Sequence, residues 1–141
     1  MINETNETQK ADVLIITGRE QWRPLLREFL TVSLPGRTIL EAAQRFGALE
    51  IAARYQPRLA LVWHQMREFN GIEVTAHIRS TLRDTKVIVI TGNDDDHLVP
   101  SALAAGAFAC VREARITTDL LPLVKLLLGS THADAATGDL L

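Results

Sequence analysis

At 141 residues the chain is long enough for one domain with a substantial core and too short for two ordinary ones. It is 47 % apolar with a formal charge of only -2, which reads as soluble and globular and gives no support to a nucleic-acid or membrane-surface role. One cysteine excludes an internal disulfide framework, no apolar run approaches the roughly 18 residues of a membrane span, and the polar residues 1–10 hold no signal-peptide centre, so a cytoplasmic location is expected.

After a flexible tail over residues 1–10, the compact apolar run 11–16 predicts a strand, and Thr17-Gly18-Arg19 a turn leaving it. Trp22, Leu25, Leu26, Phe29 and Leu30 then recur at helical spacing, with Pro24 tolerable in a first turn. Leu34-Pro35-Gly36 breaks the chain, residues 38–42 form a second strand, and Phe46, Leu49 and Ala53 mark a second helix that Pro57 ends. Residues 59–63 form a continuous apolar run, the pattern of a strand buried on both faces of a parallel sheet. Asn70-Gly71 opens a third helix over 72–82, with Val74, Ile78 and Leu82 on one line. Residues 86–91 are a β-branched strand. A loop from Gly92 to Asp96 leads into a short helix capped near Ala105-Gly106, residues 107–111 are a fifth strand, and 118–128 the last helix. Residues 129–141 read as a loose tail.

Strands alternating with helices through short connections imply an α/β domain over residues 11–129, with a parallel sheet covered on both faces. In such a sheet a ligand site lies beyond the carboxyl ends of the strands, and the loop after residues 59–63 is the place to look. Trp63 stands there, where a phosphate-handling site would need an acid.

In order and at fitting spacing, Glu41-Ala42-Ala43, Pro57 with its strand, Met66, Asn70-Gly71-Ile72-Glu73-Val74, Val87-Ile88-Val89-Ile90-Thr91 and Ala105-Gly106-Ala107 resemble the receiver domain of bacterial two-component response regulators. The likeness is nearest to receivers that precede a helix-turn-helix output domain. It implies the flavodoxin-like (βα)5 three-layer sandwich with strand order 2-1-3-4-5. It also implies a site made of an acidic pair after the first strand, a phospho-accepting Asp ending the third, a Thr or Ser ending the fourth and a Lys ending the fifth. This chain offers Thr17 and Gly18, Trp63, Thr91 and Glu113 at those positions, so only Thr91 agrees. The family's aromatic switch residue on the fifth strand is replaced by Cys110.

Phosphoryl transfer needs a carboxylate nucleophile, Mg²⁺ to neutralise the oxygens and a cation to complete the cradle. Trp63 brings an N–H and no nucleophile, Thr17-Gly18 bring no anionic ligand, and Glu113 reverses the required charge. A degenerate receiver without metal-dependent aspartyl phosphorylation is therefore expected, with no enzyme activity, metal or cofactor. Trp63 is read as filling the vacated site, His64 as an ordinary loop residue, and Glu113 as loosely paired with Arg112 or Arg115 or solvated. Asp94, Asp95, Asp96 and His97 are explained by helix capping better than by a metal, and Cys110 as a small buried strand residue.

The last helix is apolar nearly all round, with Lys125 its lone charge, and residues 98–105 carry no charge at all. A helix covering a sheet needs only a stripe, so Leu98, Pro100, Ser101, Ala104, Leu123 and Leu127 are candidates for an interface formed with the fifth strand. The expected role is protein binding, as a homodimer or with another signalling protein, without membrane or nucleic-acid contact. The alternatives are a receiver phosphorylated at a displaced acid such as Glu68 or Asp94, the receiver part of a longer transcriptional regulator, and a small nucleotide- or flavin-binding protein. The last is disfavoured because Thr17-Gly18-Arg19-Glu20 is no phosphate loop.

Overall fold

The fold is seen in a computed structural model that describes residues 10–65, 70–92 and 96–129, with Asp96 described through its backbone alone. Residues 1–9 and 130–141 of the expected tails, together with Met66, Glu68, Asp94 and Asp95, lie outside the described residues.

β1 (Val13–Ile16), β3 (Leu59–Trp63) and β4 (Lys86–Thr91) are apolar runs, buried along their length apart from Lys86. β2 (Ile39–Ala42) and β5 (Ala109–Arg112) are less deeply buried, as edge strands should be. All pairings are parallel in the order β2-β1-β3-β4-β5, the flavodoxin-like arrangement that the resemblance implied. β5 begins later than expected because the Ala107 backbone N–H is spent on Ala102, closing the turn that Gly106 (φ 110°) makes, and contact with β4 starts only with Phe108 N–H on the Val87 carbonyl.

α1 (Trp22–Ser33) packs Leu26 and Leu30 on one face of the sheet, and α5 (Leu121–Leu128) packs Val124 and Leu128 beside them. α2 (Arg45–Tyr55), α3 (Gly71–Thr81) and α4 (Val99–Ala104) cover the other face through Ala48, Ala52, Val74, Ile78 and Ala102. Adjacent strand residues alternate between the two layers, which is why each central strand reads as a continuous apolar run.

Three helical expectations shift. Leu25 points to solvent, because Leu26 and Leu30, four apart, carry the sheet contact of α1. In α2 the buried line is Ala48 and Ala52, small residues that let the helix sit close to the sheet; Leu49 packs against the same core as expected, while Phe46 is 73 % exposed and Ala53 is exposed too. The α-helix α5 starts at Leu121 rather than 118. Pro122 has no N–H to donate back a turn, so it occupies the first turn, and a π-helical turn, Ile116–Leu120, precedes it. Among the described residues no helix is long and apolar enough to cross a membrane.

Candidate functional site

The carboxyl ends of β1, β3, β4 and β5 bring Thr17, Trp63, Thr91 and Glu113 to one pole of the sheet. Thr17 is fully buried; its hydroxyl accepts from the Arg19 backbone N–H at 3.1 Å and its carbonyl accepts from Arg23 Nη1 at 3.0 Å. Gly18 is exposed beside it. Thr91 is buried and in register with Arg112.

Trp63 is 2 % exposed and belongs to the core beneath α1 and α5. Its ring meets that of Trp22, in the first turn of α1, at 5.9 Å between centroids and 45° between planes. Its indole N–H donates to Glu113 Oε2 at 2.8 Å. The same carboxylate receives Arg19 Nη1 at 3.3 Å to Oε2 and 3.5 Å to Oε1. Arg19, Glu113 and Trp63 thus form one clasp joining the turn after β1, the turn after β5 and the end of β3. A concavity of about 340 Å³ lined by Trp22, Glu113 and Thr117 lies against it.

Glu113 corrects an expectation. It pairs neither with Arg115 nor loosely with solvent: the 3-10 turn Glu113–Arg115 points it over the sheet toward Arg19, 94 residues away. Arg115 instead bonds Asp119 at 2.8 Å, and that hydrogen bond holds the Asp119 carboxyl below its usual range. Arg19 and Trp22 are the residues that sequence reasoning missed. The only signal for Arg19 was an opposite charge in another strand-end turn.

The loop after Trp63 is set by backbone contacts. His64 donates its N–H to Ile90 and accepts from Gly71, both at 2.8 Å, while its Nδ1 is buried without a partner among the described residues. A Cβ on Gly71 would press into the Trp63 carbonyl and lie 2.9 Å from the His64 Cα, so only glycine lets α3 begin this close to β3. Asn70 caps that helix by accepting from Glu73 N–H at 2.8 Å.

Cys110 is not beside Thr91; it pairs in register with Val89, further back along the strand, and burial pushes its thiol pKa up. The donor set does not fit a divalent cation. Thr17, Gly18 and Trp63 offer no carboxylate, and that of Glu113 is engaged by Trp63 and Arg19. No cluster of metal-binding side chains occurs among the described residues, where His97 stands exposed.

Of the candidate interface residues, Pro100, Ser101 and Ala104 are exposed on α4 and Leu98 is half-buried before it. Leu123 and Leu127 are half-buried and packed on the core that α1 shares, so α5 hides more of its apolar surface than its sequence suggested. The side chains left open are Leu103, Phe108 and Leu126, the last 64 % exposed.

Residues 13–121 match the family described as response regulator receiver domain. A putative transcriptional regulator of Pseudomonas aeruginosa is 32 % identical over 117 residues, covering 82 % of this chain and 56 % of that protein. The transcriptional regulatory protein DegU of Brevibacillus brevis is 24 % identical over 126 residues, covering 89 % and 53 %. The chain therefore spans about half the length of these curated relatives. Among solved structures, the signal receiver domain of a DNA-binding response regulator from Colwellia psychrerythraea superposes with a TM-score of 0.79 at 24 % identity, over 85 % of this chain and 99 % of that one. The response regulator TrrA of Thermotoga maritima, in complex with Mg²⁺ and BeF, gives 0.73 at 26 % identity, over 84 % and 99 %. The chain belongs to the response regulator receiver domains of signal transduction.

Proposed function

We propose that this receiver domain works without phosphorylation at the family's usual position and signals by binding protein. The hydrogen bond from Trp63 to Glu113 carries the reading. The position of the acceptor Asp is filled by an indole, and the position of the Lys holds a carboxylate that Arg19 neutralises from within the chain. A phosphoryl group arriving here meets no nucleophile, no metal ligand and an anion in place of a cation.

Incubation with acetyl phosphate and Mg²⁺ followed by intact-mass measurement tests this. The mass is expected to stay unchanged. A stable gain of one phosphate overturns the reading and turns attention to displaced acids such as Glu68 or Asp94.

The binding surface in this reading is the face of α4, β5 and α5, and its simplest occupant is a second copy. Exposed Leu103, Phe108 and Leu126 lie along it with Pro100, Ser101 and Ala104. Light scattering should give a dimer that becomes monomeric in Leu103→Glu or Leu126→Glu. These are safer probes than Leu123 or Leu127, which also support the core. A monomer in the unaltered protein removes self-association.

A second reading, the receiver part of a longer transcriptional regulator, is favoured by one observation. Relatives of about twice the matched length are named as transcriptional regulators. The two readings share the clasp and the binding face, and differ in what the face would control.

A further inference from the structure

The opposite pole of the sheet carries an uneven distribution of charge. Lys10 precedes β1, Arg58 precedes β3, and Arg83 and Asp84 lie in the turn before β4; together they line one hollow of about 280 Å³. Lys86 starts β4 alongside, its backbone N–H donating to the Arg58 carbonyl at 3.0 Å. Lys10, Arg58 and Arg83 therefore face a single acid of the lining, Asp84, in a chain whose formal charge is -2. None of these cations has an ion-pair partner among the described residues.

Cations at this pole have an ordinary explanation, because α2 and α3 both end there and helix carboxyl ends attract positive charge. At α3, and at the neighbouring end of α5, other residues already serve that purpose. Arg79 Nη1 donates to the Arg83 and Thr85 carbonyls beyond α3, at 2.6 and 2.9 Å. Arg37 joins Asp12 at 3.2 Å and the Leu128 carbonyl of α5 at 2.8 Å. Counting about half a negative charge for each of the two helix ends, three cations and one acid still leave an excess of roughly one positive charge around the hollow.

The wall of the hollow is also pre-formed. Thr85 is buried, and its hydroxyl donates to the Pro57 carbonyl at 2.6 Å, tying the turn before β4 to the turn before β3. Arg58 N–H reaches the Ala11 carbonyl at 3.2 Å and ties in the start of β1. The cations are thus mounted on turns braced to one another, and gathering an anion costs little reorganisation.

We propose that this hollow binds a compact phosphate-bearing anion of the pyrophosphate or phosphate-monoester class, held by the guanidinium forks of Arg58 and Arg83 with Lys10 supplying further charge. Arginine forks match phosphate oxygens in a bidentate manner. The small volume and the overall negative charge favour a compact ligand over a nucleic-acid strand, which needs an extended basic track.

Inorganic pyrophosphate titrated into the full chain at fixed ionic strength, followed by calorimetry, is the test. Saturable one-site binding is expected, with affinity lowered about tenfold or more in Arg58→Gln and in Arg83→Gln. Arg83 stands in an exposed turn, so its variant keeps the test valid even where Arg58→Gln melts early. Arg19→Gln, at the other pole, should bind as the unaltered protein does. Absence of saturable binding, affinity unchanged from the unaltered protein in both hollow variants, or an equal loss in Arg19→Gln overturns the assignment. So does a single-stranded oligonucleotide that binds this hollow while pyrophosphate does not.

Discussion

The two poles of the sheet handle charge in opposite ways. At the carboxyl pole Arg19, Glu113 and the indole N–H of Trp63 satisfy one another, and the ring of Trp63 is buried in the core beside Trp22. At the amino pole Lys10, Arg58 and Arg83 surround a hollow without any such pairing among the described residues. Closing a site takes two things at once, apolar volume and a partner for every polar atom that the volume buries. Trp63 with Glu113 supplies both, whereas among the described residues no side chain fills the hollow at the other pole or pairs with its cations.

Removing the plug should do the most damage. Trp63→Ala deletes a core side chain and the contact with Trp22, and truncations of this kind cost about 3–5 kcal/mol. Trp63→Phe keeps a ring in place but leaves Glu113 without its indole donor, at a cost of about 1–3 kcal/mol. Urea unfolding of both variants separates volume from hydrogen bonding. Equal stability of the Phe variant and the unaltered protein would show that the donor is idle and that bulk alone closes the pole.

A smaller effect should follow from Arg19→Gln. Its side chain is 44 % exposed, so the ion pair with Glu113 is screened by water and contributes less than about 1 kcal/mol. Raising the salt concentration should shrink the difference between Arg19→Gln and the unaltered protein. A loss that survives high salt would mean that Arg19 acts through packing instead, and the comparison of poles would then rest on volume alone.

Much of this was legible in the chain and some of it was not, for identifiable reasons. β1, β3 and β4 announce themselves because burial on both faces leaves no polar residue inside them except at an end. That Thr17, Trp63, Thr91 and Glu113 gather at one pole could be read from their positions at the strand ends. The partner of Glu113 could not, because Arg112 and Arg115 stand nearest in sequence while Arg19 is brought in only by the sheet. The packing side of α2 was misjudged because a large apolar residue attracts attention, yet Ala48 and Ala52 lie against the sheet and Phe46 does not. The late start of α5 follows from Pro122, whose missing N–H was in plain view.

The mildest probe is Cys110, which lies in β5, half-buried and next to Val89. Burial raises its thiol pKa, so the folded state favours the protonated thiol. The sign is that of a raised acid: the stabilisation is present below the ordinary thiol pKa and is lost as pH rises through the folded value. At about pH 8 an aromatic disulfide reagent should therefore modify Cys110 more slowly than a free cysteine, because thiolate is the reactive form. Arg19→Gln should leave that rate unchanged if the clasp holds only the turns at its own pole, whereas Trp63→Ala should raise it by loosening the core. Acceleration in Arg19→Gln would instead mean that β5 feels the clasp along its length, and the two poles could no longer be treated as independent.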